Sequence, residues 1–167
     1  MDDVQKPFVS IVVPCFNEEA ILQSNANRII EFLESKNYKY LWELVLVNDG
    51  SKDDTGKIAD DLARRRTNVR VIHHPINLNL GLALQTGFRN AKGDIIVVLD
   101  VDLSYSVESV EQLVDKLIET SADIVLASPY MKGGKVTGVP FSRRVMSKWV
   151  NGMMRMAAHL AGEREAP

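Results

Sequence analysis

Two carboxylates one residue apart, Asp100 and Asp102, close an apolar run that starts after Gly93-Asp94. A third carboxylate, Asp49, closes a second apolar run in Asn48-Asp49-Gly50-Ser51. Acidic side chains so close repel each other, and burying them without a partner is costly. A divalent cation resolves both problems. The competing reading is a solvated strand end followed by a helix cap. Gly81, where the chain turns into a helix after Asn77-Leu78-Asn79-Leu80, is a further candidate. Free amides at such a turn receive phosphate, and ordinary turn chemistry is the alternative there.

The other reactive side chains point to less. His73 and His74 are adjacent on extended chain and should face opposite ways, which argues against a shared metal. Cys15 is alone, so no disulfide framework forms and a reducing compartment is the default. Near a strand end it reads as a small apolar residue. The first strand-turn carries no GxGxxG, and GxxxxGK[ST] occurs nowhere. A phosphatase-type aspartyl nucleophile would stand on the first strand, whereas Asp100-Val101-Asp102 follows the fourth. No Ser-His-Asp set has a defensible order or spacing.

Positioning these carboxylates requires strands. Gly93 to Leu103 reads as a strand from Asp94 to Asp102, buried on both faces by its β-branched run. Phe8–Val13, Leu41–Val47, Val69–Ile72 and Ala122–Ala127 read as four more. Pro14 lacks a donor and marks the end of the first strand or a bulge. Between the strands lie amphipathic stretches. Ile21, Leu22, Ile29, Ile30 and Leu33 form one stripe, and Ile58, Ala59 and Leu62 a second. Val110, Leu113, Val114, Leu117 and Ile118 form another. Ser51 and Asp54 have capping-box spacing for the second helix. Gly87 suits close packing of a helix on a strand. Strand and helix alternate, so the fold class is α/β, a three-layer α/β/α domain with a mostly parallel central sheet. Asp49, Asp100 and Asp102 then share the carboxyl edge of that sheet, where open α/β sheets bind ligands.

The texture changes after Ser128-Pro129-Tyr130. Met131–Gly138 is glycine-rich and basic, a loop beside the site. Pro140 leads a basic amphipathic helix with Arg143, Arg144, Lys148 and Arg155. It lies on an anionic surface or on a missing partner segment, or else packs on the sheet. Residues 161–167 form a polar tail, so the expected domain is 1–160 and the chain reads as C-terminally truncated. Its 167 residues, 46% hydrophobic and 25% charged, suit one domain with a real core. A net charge of −2 does not suggest a nucleic-acid partner. No apolar run approaches the roughly 20 residues of a membrane span, so the expectation is a soluble or peripheral protein.

Together these segments resemble family 2 glycosyltransferases of the GT-A fold, in the polyprenyl-phosphate (dolichyl-phosphate) mannose/glucose synthase branch. The resemblance rests on Ser10-Ile-Val-Val-Pro-Cys-Phe-Asn-Glu-Glu19, on Asn48-Asp-Gly-Ser51 with Asp54-Thr55, and on Asn79-Leu-Gly-Leu-Ala-Leu-Gln-Thr-Gly87. It continues in Ala91-Lys-Gly-Asp94 through Asp100-Val-Asp102-Leu103, then Ser128-Pro-Tyr130, Gly133-Gly134 and Ser142-Arg-Arg144. The resemblance implies that Asp49 holds the nucleotide base, while Pro14 and Glu18 shape the nucleotide pocket. It implies that Asp100 supports ribose and diphosphate and that Asp102 is the main ligand of Mg²⁺ or Mn²⁺. Three positions depart from the family pattern. Asn48 replaces a commoner Asp, Ser104 a frequent Gln, and Pro129 an Arg.

The implied reaction is inverting transfer of a hexose from a nucleotide-diphosphate sugar, GDP-mannose or UDP-glucose, to a polyprenyl phosphate. A lipid phosphate is largely dianionic at neutral pH and needs no general base, whereas a hydroxyl acceptor does. No clear base follows Asp102. Arg143 and Arg144 would meet the acceptor charge. The implied setting is cytoplasmic, peripheral at the membrane's cytoplasmic face, and an oligomer is compatible with the sequence. The alternatives are a family 2 enzyme with a hydroxyl acceptor and a non-catalytic nucleotide-sugar-binding fragment.

Overall fold

The computed structural model describes residues 6–37 and 39–128. Four strands alternate with four helices: β1 (Phe8–Cys15), α1 (Leu22–Ser35), β2 (Leu41–Asn48), α2 (Thr55–Arg65), β3 (Val69–His73), α3 (Asn79–Asn90), β4 (Ile95–Val98) and α4 (Glu108–Thr120). The strands form one parallel sheet in the order β3-β2-β1-β4. β1 pairs with β2 from Phe8↔Leu41 to Cys15↔Asn48 and with β4 only from Val9↔Ile95 to Val12↔Val98. The chain grows outward from β1 through β2 to β3, then returns to the other side of β1 as β4. The order therefore reverses between β1 and β4, and such a reversal opens a crevice at the carboxyl ends of the two strands.

Apolar pattern explains the layers. On one sheet face Val9, Ile11, Val13, Leu44, Leu46 and Val97 pack against Leu22, Ile29, Ile30 and Leu33 of α1, Ala59 and Leu62 of α2, and Val110 and Val114 of α4. The opposite face is thinner, with Val12, Val45 and Val47 under Ala83 of α3. A Cβ on Gly87 would lie 2.3 Å from Val12 Cγ1, so only glycine lets α3 settle this close.

The amino ends of the strands are tied by a buried polar knot. The Ser10 hydroxyl donates to Glu43 Oε1 at 2.6 Å, and the Lys92 amide donates to the same oxygen at 2.7 Å. Arg70 holds Oε2 through Nε at 3.0 Å and a terminal nitrogen at 2.9 Å. Burial alone would raise the pKa of Glu43, but Ser10, Lys92 and Arg70 outweigh it and hold the carboxyl below its usual range.

Several expectations are corrected. The first strand runs two residues past Val13 and contains Pro14, because pairing with β4 has already ended and only the β2 side remains to be satisfied. β4 stops at Val98, so Asp100 and Asp102 stand in the following turn and not on a strand. Nor is β4 buried on both faces. Ile96 and Val98 are 41% and 39% exposed, and among the described residues α3 packs mainly on β1 and β2. Ala122–Ala127 forms no strand among the described residues, and its Ile124 and Leu126 are exposed. Ile118 also faces outward. Ser51 does not cap α2: its hydroxyl accepts the Asn17 amide at 3.0 Å, and the Thr55 amide turns to Asp53 at 3.0 Å. The chain divides into a unit of Met1–Leu126 and a second of Ala127–Pro167. The expected boundary at residue 160, the 131–138 loop and the basic helix all lie outside the described residues.

Candidate nucleotide-sugar site

Each strand of the sheet sends its carboxyl-end loop toward one cleft. The loop after β1 is shaped by the one below it. The amides of Asn17, Glu18 and Glu19 donate to Ser51 Oγ, Thr55 Oγ1 and Asp53 Oδ2 at 3.0, 2.7 and 3.1 Å. In return the amides of Lys52 and Asp54 donate to Asn17 Oδ1 and Glu19 Oε2 at 2.9 and 2.8 Å. Asn17 sits at φ 56°, a left-handed value that Asn tolerates better than most residues. Family motif residues that look independent in the sequence thus form one interlocked pair of loops.

The acidic turn after β4 is equally well fixed. The Leu103 amide donates to the Asp100 carbonyl at 3.1 Å, with Leu103 at φ 53°. Left-handed backbone costs a non-glycine residue roughly 1–2 kcal/mol, so this tight turn stores strain beside the carboxylates. Ser104 donates its amide to Asp102 Oδ1 and its hydroxyl to Asp102 Oδ2, both at 2.8 Å. From α1, Asn25 Nδ2 donates to the Val101 carbonyl at 2.9 Å and anchors the turn to the core.

The resulting cleft has a volume of about 430 Å³. Pro14, Glu18, Asp49, Asp100 and Asp102 all line it, so five of the sequence-selected residues converge. Gly81 does not line it. It lies in the first turn of α3, one residue beyond Leu80, which does. Arg143 and Arg144 lie outside the described residues. Phe16, Asn77, Asn79 and Ala83 complete much of the wall and escaped the sequence reading. Asn77 and Asn79 stood inside the motif around Gly81, and that was the available signal.

Charge in the cleft is unbalanced. Glu18 is pushed above the usual carboxylate range by burial and then by the negative charges of Asp102 and Asp53. Cys15, also on the wall, is pushed up to about 12 by burial and by Glu18. Its thiol donates to the Val13 carbonyl at 3.5 Å and stays protonated at neutral pH. Among the described residues no three His, Cys, Asp or Glu side chains converge on a metal-sized point. An all-protein cage is therefore not what these residues offer. The set does fit a hard cation whose shell is completed by substrate, since Mg²⁺ is commonly held by one or two carboxylates plus phosphate oxygens. A cation near Asp102 would also relieve the repulsion that Glu18 feels.

Asp49 is nearly buried behind this wall, 3% exposed. Its Oδ1 accepts from His74 Nδ1 at 2.7 Å and from the Leu78 amide at 2.9 Å. His73 turns the other way, to Asn48 Nδ2 at 2.9 Å and Asp60 Oδ1 at 3.1 Å. The two histidines face opposite sides, as extended chain requires.

Known proteins are similar to this chain in sequence. A dolichol-phosphate mannosyltransferase of Pyrococcus furiosus is 37% identical over 140 residues, 84% of this chain and 38% of the relative. A dolichyl-phosphate beta-glucosyltransferase of Trichomonas vaginalis is 32% identical over 130 residues, 74% of this chain and 40% of the relative. Among solved structures, the glucosyl-3-phosphoglycerate synthase of Mycobacterium tuberculosis, in complex with Mn²⁺, UDP and glucosyl-3-phosphoglycerate, superposes with a TM-score of 0.53. It is 28% identical, and the match covers 66% of this chain and 39% of that one. The chain thus spans about two fifths of the length of these relatives. The family model for glycosyl transferase family 2 matches residues 10–163, nearly the whole chain. With the GT-A-type parallel sheet and its switch-point cleft, this chain belongs to glycosyl transferase family 2.

Proposed function

We propose that this domain binds a nucleotide-diphosphate sugar and transfers its hexose, with inversion, to a polyprenyl phosphate. The observation that carries this reading is the convergence of Pro14, Glu18, Asp49, Asp100 and Asp102 on one cleft at the β1–β4 switch point. In it Asp49 accepts from the nucleotide base, and Pro14 and Glu18 form the wall beside it. Asp100 would support the ribose and diphosphate, and Asp102, together with Asp100, would hold Mg²⁺ or Mn²⁺. When bound, that cation neutralises charge developing on the leaving diphosphate. Both oxygens of the Asp102 carboxylate accept from Ser104, and a side chain held in this way supports the reading. The acceptor's phosphate oxygen attacks the anomeric carbon as the bond to the diphosphate breaks, and the nucleoside diphosphate leaves with the bonding electrons. No protein base is needed, because a phosphate monoester is mostly dianionic at pH 7. Arg143 and Arg144 are the acceptor-side cations.

The names of the Pyrococcus and Trichomonas relatives support the lipid-phosphate acceptor. No helix among the described residues is long and apolar enough to cross a membrane. The proposed setting follows from the lipid-phosphate acceptor and is peripheral, at the cytoplasmic face. A second reading has a soluble acceptor, supported by the glucosyl-3-phosphoglycerate bound to the mycobacterial synthase. Incubation of the chain with labelled GDP-mannose or UDP-glucose, Mn²⁺ and a short polyprenyl phosphate tests both. Label in an organic-extractable product is expected, and Asp102→Ala should abolish it. Label found only on phosphoglycerate or another hydroxyl acceptor would select the second reading. Full transfer by Asp102→Ala would remove that residue from the metal role.

A further inference from the structure

We infer that His74, backed by Thr86, is a positioning residue that sets the orientation of Asp49 toward the nucleotide; the inference rests on the reading of Asp49 given above. His74 bridges two elements with its two ring nitrogens. Nδ1 lies 2.7 Å from Asp49 Oδ1, at the end of β2, and Nε2 lies 2.9 Å from the Thr86 hydroxyl on α3. The side chains of His74 and Asp49 are only 9% and 4% exposed. A carboxylate accepts and does not donate, so Nδ1 carries the proton. In the neutral ring Nε2 is then left as an acceptor for the Thr86 hydroxyl, so the Asp49 carboxylate sets the tautomer and Thr86 holds the far end of the ring.

The consequence falls on Asp49. Two donors, His74 Nδ1 and the Leu78 amide, converge on its Oδ1. Oδ2 is the oxygen left to accept from a ligand in the cleft that Asp49 lines. A carboxylate pinned in this way offers a preorganised acceptor, and less ordering is required when a ligand N–H arrives. His74 does not itself line the cleft, so it acts through Asp49. Thr86 stands one turn beyond Ala83, which does line it, so the relay also ties α3's wall to the carboxylate. His73 is excluded from this role by its own partners, Asn48 and Asp60.

The test is calorimetric titration of the full chain with UDP and with GDP, each with Mn²⁺, and with inorganic pyrophosphate plus Mn²⁺ as a probe that has no base. His74→Ala should weaken the nucleotide that binds the unmodified chain by about tenfold and leave pyrophosphate unchanged. His74→Asn, which restores a donor near Nδ1, should recover part of the loss. Thr86→Val should weaken the nucleotide by about threefold. Equal losses for nucleotide and pyrophosphate, or no loss in His74→Ala, would overturn the relay. An unchanged nucleotide affinity in Asp49→Ala would instead overturn the base reading itself. Loss in Asp49→Ala with none in His74→Ala removes only the relay. If His74→Ala does not fold, ring ¹⁵N–¹H spectra of the unmodified chain decide. A proton on His74 Nδ1 is expected, and a bare Nδ1 would overturn the assignment.

Discussion

At the scale of single residues, backbone geometry and burial make the sharpest predictions. Gly50 follows Asp49 at φ +68°, and a Cβ there would meet the Ile76 carbonyl carbon at 2.2 Å. Neither the left-handed value nor the contact with backbone has an easy relief. Gly50→Ala should therefore cost about 2–4 kcal/mol in urea unfolding. A Cβ at Gly81 meets nothing within 4 Å, so Gly81→Ala should leave the unfolding midpoint nearly unchanged. Cys15 makes a different prediction. Its thiol is buried and pushed up to about 12, so little thiolate exists near neutral pH. Native protein should resist iodoacetamide and react only after unfolding, as followed by mass spectrometry. Rapid native labelling would contradict the buried thiol.

At the scale of elements, the knot of Ser10, Glu43, Arg70 and Lys92 holds β1, β2, β3 and the entry to β4 together. Removing Glu43 leaves the Arg70 charge without its partner. Glu43→Ala should destabilise by about 2–3 kcal/mol, less than the ~3–5 kcal/mol typical of fully buried pairs, because Arg70 keeps some exposure. The same carboxyl gives a pH dependence. Its folded pKa is depressed, so its contribution is complete above the unfolded value of about 4.3. It fades as pH falls through the lower folded value. Urea midpoints followed downward from about pH 6 should fall less steeply for Glu43→Gln than for the unmodified chain.

The elements also show what was legible. The runs around Ile11, Leu44 and Val71, and the stripe from Leu22 to Leu33, could be read because strand and helix periods differ plainly in them. Asp49, Asp100 and Asp102 could be placed at strand ends because the apolar runs stop there. The Ala122–Ala127 run misled because local β-branched pattern reports only that a segment suits a strand, while pairing with a neighbour is decided across the fold. The bonds of Ser51 to Asn17 and of His74 to Asp49 and Thr86 are contacts across the fold. Local pattern contains no signal for them.

At the scale of the whole molecule, the cleft couples ligand binding to folding. Its wall is drawn from loops after all four strands, so a bound ligand stabilises the assembled sheet and not one loop. Mass action gives about 2.7 kcal/mol at a ligand concentration one hundred times Kd. The correct nucleotide sugar, with Mn²⁺, should raise the melting temperature by several degrees, on the order of 5 °C. Without Mn²⁺, or in Asp102→Ala, the shift should shrink. A nucleotide sugar that shifts the transition equally with and without the cation would argue against cation-assisted binding.

The strand order β3-β2-β1-β4 separates two walls. Asp49 and His74 hang from β2 and β3, whereas Asp100 and Asp102 hang from β4. β1 stands between them. One wall is therefore exchangeable while the other keeps its shape. A library that varies residues 76–83 changes the wall near Asp49 and leaves the strained turn at Leu103, the Ser104 clasp and the Asn25 anchor as they are. In engineering terms, the molecule is a socket with a fixed acidic jaw and a replaceable opposing jaw.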